Sequence, residues 1–107
     1  MFQRISTTQV ASMIKEKEVK LADIRDPHSF HAGHIKNAVH LTQDNVTEFL
    51  EKTDKTLPLV IYCYHGNSSQ QAAQFFYEQG FEDVYSMDGG FDVWKSEYDF
   101  EVSDGNS

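Results

Sequence analysis

The chain has 107 residues and a formal net charge of −8, from 17 acidic and nine basic side chains. That length fits one domain core, and the charge disfavours nucleic acid and anionic membranes as partners, so any anion site must be built locally. A hydrophobic content of 39% with 13% aromatics excludes a disordered chain, and the single cysteine, Cys63, excludes a disulfide framework.

The start, Met1-Phe2-Gln3-Arg4-Ile5-Ser6-Thr7, has no apolar core of signal-peptide length. No apolar run approaches the roughly 20 residues that a membrane crossing needs. A cytoplasmic domain is expected. Ser6 or Thr7 can cap a helix through Ile14, with Val10, Ala11 and Ile14 at helical spacing. Val19 to Ile24 reads as a strand ended by Asp26-Pro27. His28 to His34 reads as a short helical turn stopping at Gly33, and Val39-His40-Leu41 as a very short strand. Thr42 or Asp44 opens a helix in which Val46, Phe49 and Leu50 share a face.

Leu57 to Cys63 is the clearest strand, because Leu59-Val60-Ile61-Tyr62 is a continuous apolar run suited to a strand covered on both faces. Ser68 or Ser69 can cap the next helix, which carries Ala72, Ala73, Phe75, Phe76 and Tyr77 and stops at Gly80. Val84 to Met87 is a strand ended by Asp88-Gly89-Gly90, and Phe91 to Tyr98 is a last helix with Trp94. Strands alternating with helices predict an α/β domain, with a mainly parallel central sheet flanked by helices on both faces. The expectation is one domain over residues 1–107, with a core from about 17 to 100 and a frayed tail at 101–107.

The chemistry centres on Ile61-Tyr62-Cys63-Tyr64-His65-Gly66-Asn67-Ser68-Ser69. A buried strand delivers Cys63 to its C-terminal end, a loop follows, and a helix starts. Ligands of open α/β sheets bind in that crevice. Free N–H groups at a helix N-terminus and along a tight loop can wrap an anion. The same field lowers a thiol pKa and favours the thiolate nucleophile. Cys63 is otherwise a small buried hydrophobe at a strand end. Phosphatases of the Cys-loop type need an Arg six positions after the nucleophile. That position is Ser69, and the loop contains no Arg or Lys. A loop of neutral donors suits a smaller anion, such as a persulfide on Cys63.

Two further segments fit this centre. Leu21-Ala22-Asp23-Ile24-Arg25-Asp26, then Phe30, then Gly33-His34-Ile35 with Ala38, precede it, and Asp88-Gly89-Gly90-Phe91 with Trp94 follow it. Taken in order, from about Val19 to Trp94, they make the chain resemble the rhodanese family of sulfurtransferases, with Cys63 to Ser68 at the place of the family's six-residue active loop. The resemblance implies a single rhodanese-like domain with no cofactor. It further implies a thiosulfate sulfurtransferase working by double displacement. Cys63 would take the sulfane sulfur of thiosulfate as a persulfide and release sulfite. The backbone N–H groups of Tyr64, His65, Gly66, Asn67 and Ser68 would hold that anion. Cyanide, thiols or a dithiol protein such as thioredoxin would accept the sulfur. Many family loops carry a basic residue just after the cysteine, and this chain has Tyr64 there.

That departure keeps open a second reading, a sulfur-relay or persulfide-carrier module loaded by a protein partner. A Cys-loop phosphatase or arsenate reductase is disfavoured by the absent Arg. Asp23 and Arg25, two apart on one strand end, form either a structural pair beside the loop or a frame in which Arg25 serves as a substrate cation. Asp26 is read as a cap of the following turn. His65 either acts on thiolate or substrate, or points to solvent. Asn67 and Ser68 either donate to the persulfide or cap the helix, and the family's frequent hydroxyl at the latter position favours Ser68. His28, His31 and His34 lie three apart, but Gly33 interrupts their turn, so a metal site is not expected. No Gly-rich nucleotide motif is present.

Overall fold

The structure is a computed structural model and describes residues 1–103. Five strands form one parallel sheet: β1 (Gln3–Ile5), β2 (Lys20–Asp23), β3 (Val39–His40), β4 (Leu59–Tyr62) and β5 (Val84–Met87), in the order β1-β5-β4-β2-β3. The helices between and after them are α1 (Thr7–Glu16), α2 (Pro27–Ala32), α3 (Val46–Lys52), α4 (Ser68–Glu78) and α5 (Gly90–Glu97).

Strand β4 explains the architecture. It sits between β2 and β5, and all four of its residues are buried. Side chains alternate across a strand. Val60 and Tyr62 enter one cluster with Ile5, Val10, Leu21, Met87, Phe91 and Trp94, beneath α1 and α5. Leu59 and Ile61 enter the other with Ala22, Phe49, Ala73, Phe76 and Phe81, beneath α3 and α4. The apolar run is therefore continuous because both faces of the strand are covered.

From β2 the chain continues outward to β3, and from β4 it continues outward the other way to β5. The crevice between the C-terminal ends of β2 and β4 is the topological switch point, where ligand sites of open α/β sheets form. Cys63 follows β4 directly, and Ile24 and Arg25 follow β2.

Several elements depart from expectation. Strand β1 has no counterpart in the sequence reading. It is three residues long and exposes Gln3 and Arg4, so only Ile5 carries an apolar signal. With Ile5 and Val10 in the core, that core begins well before residue 17. Helix α1 starts on a capping box between Ser6 and Gln9. Helix α3 starts later than Thr42 or Asp44. Asn45 precedes it, its side chain accepting from the Thr42 N–H (2.7 Å) and donating to the His40 carbonyl (2.8 Å), which keeps residues 42–45 in a turn. The chain from Glu101 is not frayed up to Ser103. Glu101 exchanges two backbone hydrogen bonds with His34 (2.8 and 2.9 Å), and the Ser103 N–H donates to the His31 carbonyl (2.8 Å). Residues 104–107 of the expected tail lie outside the described residues.

Phe76 is 2% exposed and packs edge-on against both Phe49 and Phe81. Phe76→Ala is expected to lower the unfolding free energy by about 4 kcal/mol, through lost transfer energy and a residual cavity. Urea denaturation measures it.

Candidate active site around Cys63

Cys63 is 4% exposed, and its Sγ stands where a short loop becomes a helix. The Gly66 N–H (3.2 Å) and the Ser69 N–H (3.3 Å) both donate to it, and the Ser69 hydroxyl lies at 3.4 Å. Of the cap candidates Asn67, Ser68 and Ser69, Asn67 occupies the cap position of α4, without a side-chain hydrogen bond. The sulfur takes one of the free N–H groups of the first turn, and the Ser69 side chain is turned inward, fully buried.

The loop faces its N–H groups inward because its carbonyls are engaged elsewhere. The first turn of α5 supplies two donors: the Phe91 N–H bonds the Cys63 carbonyl (2.9 Å) and the Asp92 N–H bonds the Tyr64 carbonyl (3.1 Å). The Gln70 side-chain amide bonds the Gly66 carbonyl (2.9 Å). This approach sets the glycines. A Cβ on Gly90 would stand 2.5 Å from both the Cys63 and the Tyr64 carbonyl oxygens. Gly66 has φ +95°, and a Cβ there would stand 2.9 Å from the Gly89 nitrogen. Neither position accepts a larger residue without moving backbone.

The electrostatics follow from these donors. Burial opposes ionisation of Cys63, but hydrogen bonds from the Ser69 hydroxyl and from the N–H groups of Ser69, Gly66 and His65 outweigh it, so the thiol titrates below its ordinary value.

Tyr64, His65, Asn67 and Ser68 form the exposed outer side of the loop, while Gly66 is buried. The Tyr64 hydroxyl bonds the Asp26 carboxylate and lies 3.1 Å from the Ser29 hydroxyl. Asp26 also caps α2 by accepting from the Ser29 N–H and hydroxyl, which hold its carboxyl below the usual range. On the other flank His65 Nδ1 lies 3.2 Å from Asp92 Oδ2 of α5, both side chains being largely exposed. The loop is thus held from α2 through Tyr64 and from α5 through His65. A cleft of about 350 Å³ beside Tyr64 is walled by Arg25, Ser29, Phe91, Asp92 and Lys95.

Asp23 and Arg25 form a buried pair. The Arg25 guanidinium donates to both carboxylate oxygens (2.6–3.1 Å) and to the Gly33 carbonyl (2.6 Å), and the Arg25 N–H bonds Asp23 Oδ1 (2.9 Å). Its charged end lies 4.3 Å from the Phe91 ring centre. This geometry is that of a frame joining β2, the α2 C-terminus and α5. His34 is placed by its ring nitrogen on the Phe30 carbonyl (2.8 Å) and by stacking on Phe30. Among the described residues no group of three or more His, Cys, Asp or Glu side chains is arranged to hold a metal ion. No helix among them is long and apolar enough to cross a membrane.

The sequence reading missed two features: the α5 N-terminus tying down the loop carbonyls, and the Ser69 hydroxyl against the sulfur. The paired Gly89-Gly90 before a helix signals the first, since a close backbone approach calls for glycine. Nothing in the local pattern marks the second.

Cys63 is the only thiol, so alkylation reports on it alone. Since only the thiolate reacts, the rate should rise with pH to a half-maximum below the ordinary thiol value of 9.0. A midpoint at or above that value would contradict the donor arrangement.

The family model for the rhodanese-like domain matches residues 6–97. A protein of Pseudomonas aeruginosa named thiosulfate sulfurtransferase GlpE is 48% identical over 106 residues, covering 99% of this chain and 96% of that one. A protein of the same name from Shewanella oneidensis is 50% identical over 93 residues, covering 87% of this chain and 92% of that one. Among solved structures, a rhodanese-like domain protein from Staphylococcus aureus superposes with a TM-score of 0.83 at 24% identity, over 96% of this chain and 100% of that one. The rhodanese-like domain of an Anabaena protein gives 0.84 at 24% identity, over 95% and 80%. These two structures establish the likeness of fold, and the family model together with the near-full-length relatives establishes that the chain belongs to the rhodanese-like domain family.

Proposed function

We infer that this protein is a thiosulfate sulfurtransferase that carries sulfane sulfur on Cys63. The observation that carries the reading is the convergence of the Gly66 N–H, the Ser69 N–H and the Ser69 hydroxyl on the one cysteine, at 3.2–3.4 Å, in a loop without Arg or Lys. The near-full-length relatives named thiosulfate sulfurtransferase support it.

In the first step the Cys63 thiolate attacks the outer sulfur of thiosulfate. The Sγ–S bond forms, the S–S bond of thiosulfate breaks, and its electron pair leaves on sulfite. The persulfide then carries the negative charge on its outer sulfur, within reach of the backbone donors of Tyr64 to Ser68 and of the exposed Ser68 side chain. In the second step a thiophile attacks that outer sulfur, and the Sγ–S pair returns to Cys63. Cyanide, a small thiol or a dithiol protein of the thioredoxin kind fits the acceptor role. A reducing cytoplasm would keep the lone thiol available.

Phosphoryl transfer is disfavoured. Dispersed negative charge on three equatorial oxygens needs a cation in the loop, and the nearest guanidinium, Arg25, is committed to Asp23 and the Gly33 carbonyl. The same shortage favours a second reading, a relay module loaded by a protein partner. Tyr64 stands where a basic residue would attract thiosulfate, and Lys95 shares Asp92 with His65.

Thiocyanate formation from thiosulfate and cyanide should be measurable in the wild type and absent in Cys63→Ser. Full activity in the Ser variant would refute the mechanism. Intact mass separates the two readings: a gain of one sulfur atom on incubation with millimolar thiosulfate supports the enzyme, whereas a gain only from a cysteine desulfurase supports the relay.

A further inference from the structure

Beneath the loop the Ser69 hydroxyl meets a second buried hydroxyl, that of Ser86, which the mechanism above does not use. Ser86 is on β5, opposite Ile61 in the parallel register and on the strand face that packs against α4. Ser69 is in the first turn of α4. Both are fully buried, and their hydroxyl oxygens are 2.7 Å apart, a short hydrogen bond between neutral groups. Ser69 Oγ in turn is 3.4 Å from Cys63 Sγ. A polar residue inside a parallel strand needs a partner, and each hydroxyl has one. The chain of groups ends on the sulfur.

We propose that Ser86 is a positioning residue for sulfur transfer: its hydroxyl orients the Ser69 hydroxyl to hold negative charge on Cys63 Sγ. This rests on the reading of Cys63 as the sulfur carrier. In the thiol form the S–H donates to Ser69 Oγ, and the Ser69 proton turns to Ser86. When Sγ is charged, the order reverses: Ser86 donates to Ser69, and Ser69 donates to the sulfur. Both dipoles then point at the charge, and the second polarises the first. A hydrogen bond to an ion is the stronger arrangement, so the pair favours the charged sulfur.

The charge falls on Sγ at two moments. One is the resting thiolate before attack. The other is the close of the second step, when the acceptor bonds to the outer sulfur and the electron pair of the Sγ–S bond returns to Sγ. The pair therefore acts on Cys63 as nucleophile and as leaving group. A thiolate stabilised in this way is a slightly weaker nucleophile but a better leaving group. The other charged and titratable groups round the loop point elsewhere. Asp23 and Arg25 bond each other, His65 faces Asp92, Tyr64 faces Asp26, and Asp88 at the end of β5 bonds Arg4 (2.8 Å).

The test is the pH dependence of Cys63 alkylation by iodoacetamide in wild type, Ser86→Ala, Ser69→Ala and the double variant. Ser86→Ala should move the midpoint upward by about half to one pH unit, slowing alkylation below it about three- to ten-fold. In the Ser69→Ala background the same substitution should add no shift, because Ser86 acts through Ser69. Transfer of sulfur from the isolated persulfide to cyanide should also slow in Ser86→Ala. A residue that only fills β5 would change the melting temperature and leave the midpoint alone. An unchanged midpoint, or an equal shift with and without the Ser69 hydroxyl, overturns the proposal. If Ser86→Ala does not fold, Ser86→Thr and Ser86→Val, close in volume, make the comparison: the Thr variant should hold the wild-type midpoint and the Val variant should not, and equal midpoints overturn the proposal. Alkylation needs no sulfur donor, so failure of the protein to load from thiosulfate would refute the proposed function without deciding the role of Ser86.

Discussion

The site depends on one constraint: the loop from Cys63 must turn its N–H groups toward the sulfur and its carbonyls away from it. A short loop does not do this by itself, because each peptide carries both groups. The α5 N-terminus imposes the orientation. Its first-turn N–H groups at Phe91 and Asp92 take the carbonyls of Cys63 and Tyr64. That requires α5 to begin almost in contact with the loop, and Gly90 permits the approach. Two helix N-termini thus meet at Cys63. That of α4 gives its free N–H to the sulfur, and that of α5 gives its own to the loop carbonyls. Strands β4 and β5, adjacent in the sheet, bring the two helix starts together.

The charge balance follows from the same arrangement. A chain with a net charge of −8 gains no long-range attraction for an anion. Neutral dipoles at hydrogen-bond range work regardless of that background, since their field is local and partly shielded from water. Cations near the site are already paired: Arg25 with Asp23, and Lys95 with Asp92. Such a site can stabilise one small charge held covalently on the cysteine. Among the described residues it offers an anion arriving from solution no unpaired cation at the loop. That asymmetry between holding and capturing distinguishes this loop from one with a guanidinium at position 69.

Much of this was legible in the sequence, for identifiable reasons. The apolar run Leu59 to Tyr62 marked the central strand, because burial on both faces removes every polar residue from it. Gly66 marked a tight turn after Cys63, whereas Gly89-Gly90 was read only as the end of a strand and not as the close approach of α5 to the loop. Strand β1 escaped because an edge strand of three residues with one buried side chain has no period to detect. Ser6 was visible as one of two candidate caps, with Thr7, but the role of Ser69 was not. A serine in a first turn ordinarily caps its own helix. Only the fold shows that this one is turned inward, between Cys63 and Ser86. The ordering of Glu101 to Ser103 was hidden for a similar reason: its partners, His31 and His34, lie some 70 residues away along the chain.

The central claim is that backbone N–H groups of this loop hold the charge on Cys63. The most direct measurement is a pH titration of the backbone amide resonances by NMR. The account predicts that the amide protons of Gly66 and Ser69 shift downfield together as the thiolate forms, with one shared midpoint, and that the shift disappears in Cys63→Ala. Amide resonances at these two positions that stay flat through the thiolate transition, or that titrate unchanged in Cys63→Ala, would contradict it.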